Sequence, residues 1–333
     1  MKEECKYIFS KGDLTRQDFS IKFKNEKGNF YLPIQKIKEL YLFNEVTLST
    51  KLFEILSKSG IIVHFFNYYQ NYVGTFYPKE SLISGSLVVK QAMKYENDRL
   101  DIAKAIVLGI SRNIYFCIYH YYRHGKTELK SDLDYYRVKV KKLLEKADNI
   151  KVVLSIEGSI WAKFYESFKY FLPEEFVMNK RVKRPPDNPI NAIISFGNTL
   201  LYTKTISEIY KTHLDQTISF LHEPGEARFS LSLDLSEVFK PIIVYKTIFD
   251  LVNNKKISIE KHFDKKLNYA RLNEDGCKIF IEAFENRINQ TFEHKVLKRK
   301  VSYQHAIKLE GYKLIKNILE NKKFESFNME EKI

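Results

Sequence analysis

Cysteine is scarce in this sequence: the 333 residues hold only Cys5, Cys117 and Cys277, each more than 100 positions from the next. No Cys-x-x-Cys pair exists, which excludes a zinc ribbon and a disulfide framework and suits a reducing compartment. Long apolar runs are missing too. Ile61-Ile62-Val63 and Ala105-Ile106-Val107-Leu108 fall far short of the ~20 residues that cross a bilayer, so no membrane span and no membrane partner are expected. The start, Met1-Lys2-Glu3-Glu4-Cys5-Lys6, is charged with no apolar stretch behind it, so no secretory signal and a cytoplasmic location are expected. No tandem repeat with a period of roughly 20 to 50 residues is visible. Acidic residues are in deficit: 41 Asp and Glu face 55 Lys and Arg, a net charge of +14. A field of that sign favours polyanions, either nucleic acid or an acidic membrane surface.

What is present is a globular composition. The 22 Tyr, 25 Phe and 1 Trp can bury large areas, which excludes disorder of the whole chain. The length exceeds what one hydrophobic core usually serves, so two domains are expected. The first reads as strands. Phe19-Ser20-Ile21-Lys22-Phe23 alternates apolar and polar, Phe30-Tyr31-Leu32-Pro33-Ile34 follows less cleanly, and the turn-forming Asn25-Glu26-Lys27-Gly28-Asn29 between them predicts a hairpin. Residues 61–66 and 72–77 read as further strands, with a short helix over 52–57 stopped by Gly60. Beyond Ser86 the period becomes helical. Leu100, Ala103, Val107, Ile110, Ile114 and Ile118 mark one long amphipathic helix, and 133–147, 156–172 and 192–210 mark others. The reading is α+β: a small β-sandwich-like domain over 1–85, a larger all-α domain over 86–323, and a frayed tail over 324–333. The first part carries a net +3 and the remainder +11, so the positive field belongs to the helices.

Four segments hold residues that could do chemistry. In Ser155-Ile156-Glu157-Gly158-Ser159-Ile160-Trp161, Glu157 shares a helical face with Trp161, Phe164, Tyr165 and Phe168. A carboxylate on an aromatic stripe needs a partner, a proton or a metal, unless it sits near the helix start and answers the dipole. His222 lies in Phe220-Leu221-His222-Glu223-Pro224-Gly225, and twelve residues on stands Asp234, followed at helical spacing by Glu237. Two carboxylates three apart repel on one face, which a bound cation would relieve, or else both point to solvent. Glutamate, histidine and aspartate together suit a hard divalent ion such as Mg²⁺ or Mn²⁺, which polarises a phosphoryl oxygen. Lys180-Arg181-Val182-Lys183-Arg184 runs into the proline-rich Pro185-Pro186-Asp187-Asn188-Pro189, a stiff loop that holds a phosphate backbone or is a solvated linker. The stretch His294 to Lys316 is basic, with Lys295, Lys298, Arg299, Lys300, Lys308, Lys313 and Lys316 against Glu310 and with Tyr303 and His305 interleaved, a phosphate-contacting surface or a charged helix face.

In this order, four blocks resemble the adaptation endonuclease and integrase of CRISPR systems, the first-numbered Cas family. They are Glu157-Gly158; Arg181 to Ala192, similar to an Arg-x-x-Arg-Pro-Pro-x-x-Pro-x-Asn-Ala segment and continued by Ile194-Ser195-Phe196-Gly197; Phe220-Leu221-His222; and the block from Ser230 that ends in Asp234-Leu235-Ser236-Glu237-Val238-Phe239-Lys240-Pro241. Gly12, Arg16, Pro33-Ile34 and Gly74 are similar to its N-terminal marks. The resemblance implies Glu157, His222 and Glu237 as catalytic metal ligands for Mg²⁺ or Mn²⁺, with Asp234 as an accessory carboxylate. It implies double-stranded and branched DNA as substrates, with Arg181, Lys183, Arg184, Lys298, Arg299 and Lys300 holding phosphates. It also implies a homodimer through the N-terminal part and a heterohexamer with the small ferredoxin-like second Cas protein. The implied reaction is attack of a 3′-hydroxyl on a phosphodiester of the CRISPR array, or hydrolysis if water replaces it. A non-catalytic basic DNA-binding scaffold and a stand-alone integrase of a mobile element are the alternatives. The sequence departs from the family pattern at Lys240, at His213-Leu214-Asp215-Gln216 and at Ser219.

Overall fold

A computed structural model describes residues 3–78, 84–183, 185–225, 228–264, 269–294 and 296–329. The chain divides into two compact units, Met1–Leu82 and Ile83–Ile333.

The first unit holds strands β1 (Glu4–Ile8), β2 (Gly12–Gln17), β3 (Ser20–Asn25), β4 (Gly28–Pro33), β5 (Ile37–Leu42) and β6 (Val46–Leu48), helix α1 (Thr50–Lys58), then β7 (Ile62–Phe66) and β8 (Tyr72–Phe76). They form two four-stranded sheets, ordered β1-β5-β7-β8 and β4-β3-β2-β6. The expected hairpin is β3–β4. Asn25 pairs with Gly28 across Glu26-Lys27, and Gly28 takes φ +127°, open to glycine alone at no steric cost. Ile21 and Phe23 alternate inward and meet Ile8, Leu40, Leu42 and Val63 of the other sheet, with Leu52 and Leu56 of α1, in one apolar core. β5 escapes an alternation rule because it is a central parallel strand with five of its six residues buried.

The second unit is built of α2 (Gly85–Arg123), α3 (Lys130–Asp134), α4 (Val140–Lys146), α5 (Ile150–Glu166), α6 (Pro189–Tyr210), α7 (Ser230–Lys240), α8 (Lys246–Asn253), α9 (Ile259–His262), α10 (Glu274–Ile288) and α11 (Tyr303–Glu320). Polar caps fix several starts. Asn149 accepts from Val152 N at 3.0 Å to open α5, and Asn188 accepts from Asn191 N at 2.9 Å with Pro189 in the first turn of α6. In addition to its helices this unit carries a hairpin, β9 (Thr291–His294) with β10 (Arg299–Ser302), held down by buried Val301 and by Phe292 against Tyr303.

Two expectations change. By length and composition α2 could cross a membrane, although no contiguous run suggested it; 67% of its apolar window is buried inside the unit, as in a core helix. Its backbone leaves helical geometry at Asp98, and the polar residues just before that point hid the first third of the helix from a 3-4 reading. The tail over 324–333 is not frayed through 329. Phe324, Ser326 and Met329 are buried, Phe327 N donates to Glu310 Oε1 at 2.8 Å and Met329 N donates to Asn113 Oδ1 at 2.9 Å. Residues 330–333 lie outside the described residues.

Candidate active site

α5 and α7 carry the three carboxylates and the loop before α7 carries the histidine. Glu157 is the eighth residue of α5, about two turns in, so the helix dipole has faded there and does not account for it. Its carboxyl is pushed up to about 7, first by burial and then by Glu237; His222, Lys240 and the Trp161 indole act the other way. The aromatic stripe expected beside it exists. Trp161 stacks on Tyr165 with ring centres 6.0 Å apart, and the Tyr165 and Tyr245 hydroxyls meet at 2.8 Å. Burial raises the Tyr165 phenol to about 12, with Glu237 and Glu157 adding to the rise, so it stays protonated at neutral pH.

The histidine loop is gripped from two sides. Asp234, with no exposed surface, accepts from Phe220 N and Leu221 N at 2.7 Å each, from His222 N at 3.0 Å and meets His222 Nδ1 at 2.8 Å. From α2, Arg99 Nε donates to Phe220 O at 2.9 Å and Nη2 donates to Leu221 O and His222 O at 3.1 and 3.2 Å. One residue takes the loop's amide hydrogens and the other its carbonyls, so the strand of three residues cannot rotate. Ser219, a departure from the family pattern, donates its hydroxyl to His222 O at 2.7 Å and stays within the same turn. Burial pulls the His222 imidazole down, but the Asp234 hydrogen bond and the carboxylates Asp234, Glu237 and Glu157 outweigh it and leave the ring raised. With Nδ1–H assigned to Asp234, Nε2 is the nitrogen with a lone pair to offer.

This geometry corrects the inference that Asp234 and Glu237 jointly need a cation. They share a helix but answer to different partners: Asp234 to the loop, Glu237 to Lys240 one turn on, in an ion pair. Lys240 also lies 5.9 Å over the Trp161 ring. Glu157, Glu237 and His222 sense one another, yet among the described residues no three His, Cys, Asp or Glu side chains gather closely enough to enclose a metal ion. The donor set itself suits one. Two carboxylates and an imidazole lie within electrostatic reach, the Glu157 carboxyl is raised by burial and then by Glu237, and the histidine is oriented by a carboxylate behind it.

The basic residues sort differently. Arg181 does not face outward: Nη1 donates to Val182 O at 2.6 Å and Asn191 Oδ1 at 3.0 Å, and Nη2 donates to Ser195 Oγ at 2.8 Å, so it ties its loop to the start of α6. Lys183, Lys298, Arg299 and Lys300 are exposed, and Arg184 lies outside the described residues. Arg299, His294, His305, Lys308 and Lys313 form one positive neighbourhood across β9–β10 and α11; burial and then these cations hold both histidines below their usual range. Sequence reasoning missed Arg99, an arginine in a long helix with no motif around it. It also missed the hold on Asp234, which no spacing rule encodes because the partners are backbone amides.

Residues 6–286 match the family model described as CRISPR associated protein Cas1. The chain is 45% identical over 326 residues to the CRISPR-associated endonuclease Cas1 of Fusobacterium nucleatum, covering 97% of this chain and 96% of that one. A solved Cas1 protein from Thermotoga maritima superposes with a TM-score of 0.86 at 38% identity, covering 98% of this chain and 100% of that one. A casposase bound to integration product shares the fold, with a TM-score of 0.84 at 19% identity over 97% of this chain and 92% of that one.

Proposed function

The chain belongs to the Cas1 family, and from that premise we propose that it is a divalent-metal-dependent DNA endonuclease and integrase that inserts captured DNA into a CRISPR array. The observation that carries the reading is the histidine loop, clamped by Asp234 and Arg99 and set beside Glu157, whose carboxyl is raised by burial and then by Glu237. Glu157, His222 through Nε2, and Glu237 would hold Mg²⁺ or Mn²⁺. Asp234, its oxygens given to three amides and an imidazole, orients the histidine in place of the accessory ligation that resemblance implied. A divalent ion bound there supplies charge to a phosphoryl oxygen and eases loss of the proton from the attacking hydroxyl.

The chain's own residues do the rest. Asp234 fixes the imidazole tautomer, Arg99 keeps the loop from swinging, and the Tyr165–Tyr245 pair closes the apolar side. Lys183 and the Lys298 to Lys300 run would grip backbone phosphates on either side of the scissile position. Double-stranded and branched DNA, a second copy of the chain and the second Cas protein are the proposed partners. A reducing cytoplasm accords with Cys5, Cys117 and Cys277, which form no disulfide among the described residues. A scaffold that only binds DNA has no use for a desolvated carboxylate pair beside an oriented histidine, which weighs against the non-catalytic alternative.

Glu157→Ala and His222→Ala are each expected to abolish Mn²⁺-dependent strand transfer into a repeat-bearing plasmid while DNA affinity stays within about twofold. Full transfer by both variants would overturn the catalytic assignment.

A further inference from the structure

α7 has an unusual C-terminal end. It runs into Pro241, which has no N–H to give the preceding turn, and continues as a π-turn over Pro241–Tyr245. Carbonyls at such a junction need donors from outside the helix. Val238 O, one residue past Glu237, receives Asn113 Nδ2 at 2.8 Å. Asn113 sits on α2 with no exposed surface and uses its whole amide: Nδ2 also donates to Phe327 O at 3.1 Å, and Oδ1 accepts from Met329 N at 2.9 Å. Two carbonyls facing one nitrogen and an N–H facing the oxygen fix the amide orientation unambiguously. Residues 324–329 thus form a strap across α2, and Phe327 stacks on Phe239 at 5.0 Å and 20°. Room for it comes from Gly109, where a Cβ would stand 2.6 Å from Ser326 Oγ and 2.8 Å from Ser326 Cβ. Val238 and Phe239, both held by this arrangement, are the residues between Glu237 and Lys240.

We infer that the strap sets the position of α7 at the candidate active site, and that Asn113 is the positioning residue for Glu237. The inference rests on the proposed role of Glu237. Asn113 touches no reacting group; it acts through the last turn of α7, and through α7 on Asp234 and the loop that Asp234 holds. A strap that merely completed the apolar core would stabilise the whole unit evenly and would not single out this loop.

The test compares the full-length chain with Asn113→Asp, which loses the amide donor to Val238 O, and with Gly109→Ala, which displaces the strap without touching Asn113 or α7. The double change Gly109→Ala with Ser326→Gly removes the side chain that the new methyl meets and leaves only its 3.2 Å approach to Phe327 O. Mn²⁺ binding is titrated by electron paramagnetic resonance, amide exchange is followed across the chain by mass spectrometry, and DNA affinity is the control for folding. Both single variants are expected to bind Mn²⁺ about tenfold more weakly. Both should also lose exchange protection at residues 220–222 and in α7, with DNA affinity kept within about twofold. The double variant should recover both. Unchanged Mn²⁺ affinity, or protection lost evenly through the helical unit, would overturn the inference. If the native chain takes up no Mn²⁺ at all, the metal reading falls, and exchange at residues 220–222 decides the strap by itself: a local loss supports it, and an even loss or none overturns it.

Discussion

At the scale of single residues, Asp234 shows how a side chain can be found for one reason and work for another. Helical spacing to Glu237 drew attention to it, and the expected role was to share a cation. Its oxygens are instead spent on three amides and an imidazole. Asp234→Asn would turn an amide hydrogen toward those donors. The expected result is Mn²⁺ affinity lower by about 10- to 100-fold, as for other residues that orient a metal-bound histidine. A stability loss of about 1–3 kcal/mol from the unmet amides should accompany it in thermal unfolding. Unaltered Mn²⁺ affinity would show that the histidine needs no such support. Arg181 is the converse case: a phosphate-gripping residue by motif, it is a clamp on Asn191 and Ser195 by geometry. Five donors in a planar fork suit both tasks, and sequence cannot tell which acceptors will be nearer.

At the scale of elements, what could be read was whatever repeats. The β3–β4 hairpin, strands β7 and β8, and helices α1 and α6 sit within a few residues of where period and turn chemistry put them. The helix expected over 156–172 starts earlier, at Ile150, because its cap is an asparagine and its first turns carry exposed valine and lysine. That shift moved Glu157 from a helix start to a helix middle and so decided between the two explanations offered for its charge. β1, β2 and β5 were not legible: β5 is buried along nearly its whole length, β1 is a partly buried edge strand, and β2, though interior, is mostly exposed, so none alternates cleanly. Gly197 belongs to this scale. A methyl there would stand 2.6 Å from Val244 Cγ1 and 2.8 Å from Phe280 Cζ, because α6 passes that close to its neighbours. Gly197→Ala is expected to cost about 1–3 kcal/mol through overpacking, read as a lower urea midpoint at unchanged m-value. An unshifted midpoint would mean that Val244 and Phe280 give way freely.

At the scale of the whole molecule, the excess of +11 in the helical part was visible from counting, and its placement was not. Lys298, Arg299 and Lys300 are exposed, and Arg299 is among the cations that, after burial, hold His294 and His305 below their usual range, as on a shared positive surface. Replacing all three by alanine is expected to weaken DNA binding alike for all sequences. The slope of log affinity against log salt should shrink by about one for every phosphate that is no longer gripped, measured by fluorescence anisotropy between about 50 and 200 mM salt. A slope equal to that of the native chain would remove this surface from the DNA path.

Arg99 reaches Phe220 across 121 residues of chain, and Asn113 reaches Met329 across 216. Closing loops of that length costs entropy that a helix, zipped from neighbours, never faces. A largely helical protein stitched in this way should refold slowly for its helix content, because the speed of folding follows the sequence span of native pairings more closely than the kind of secondary structure the chain contains.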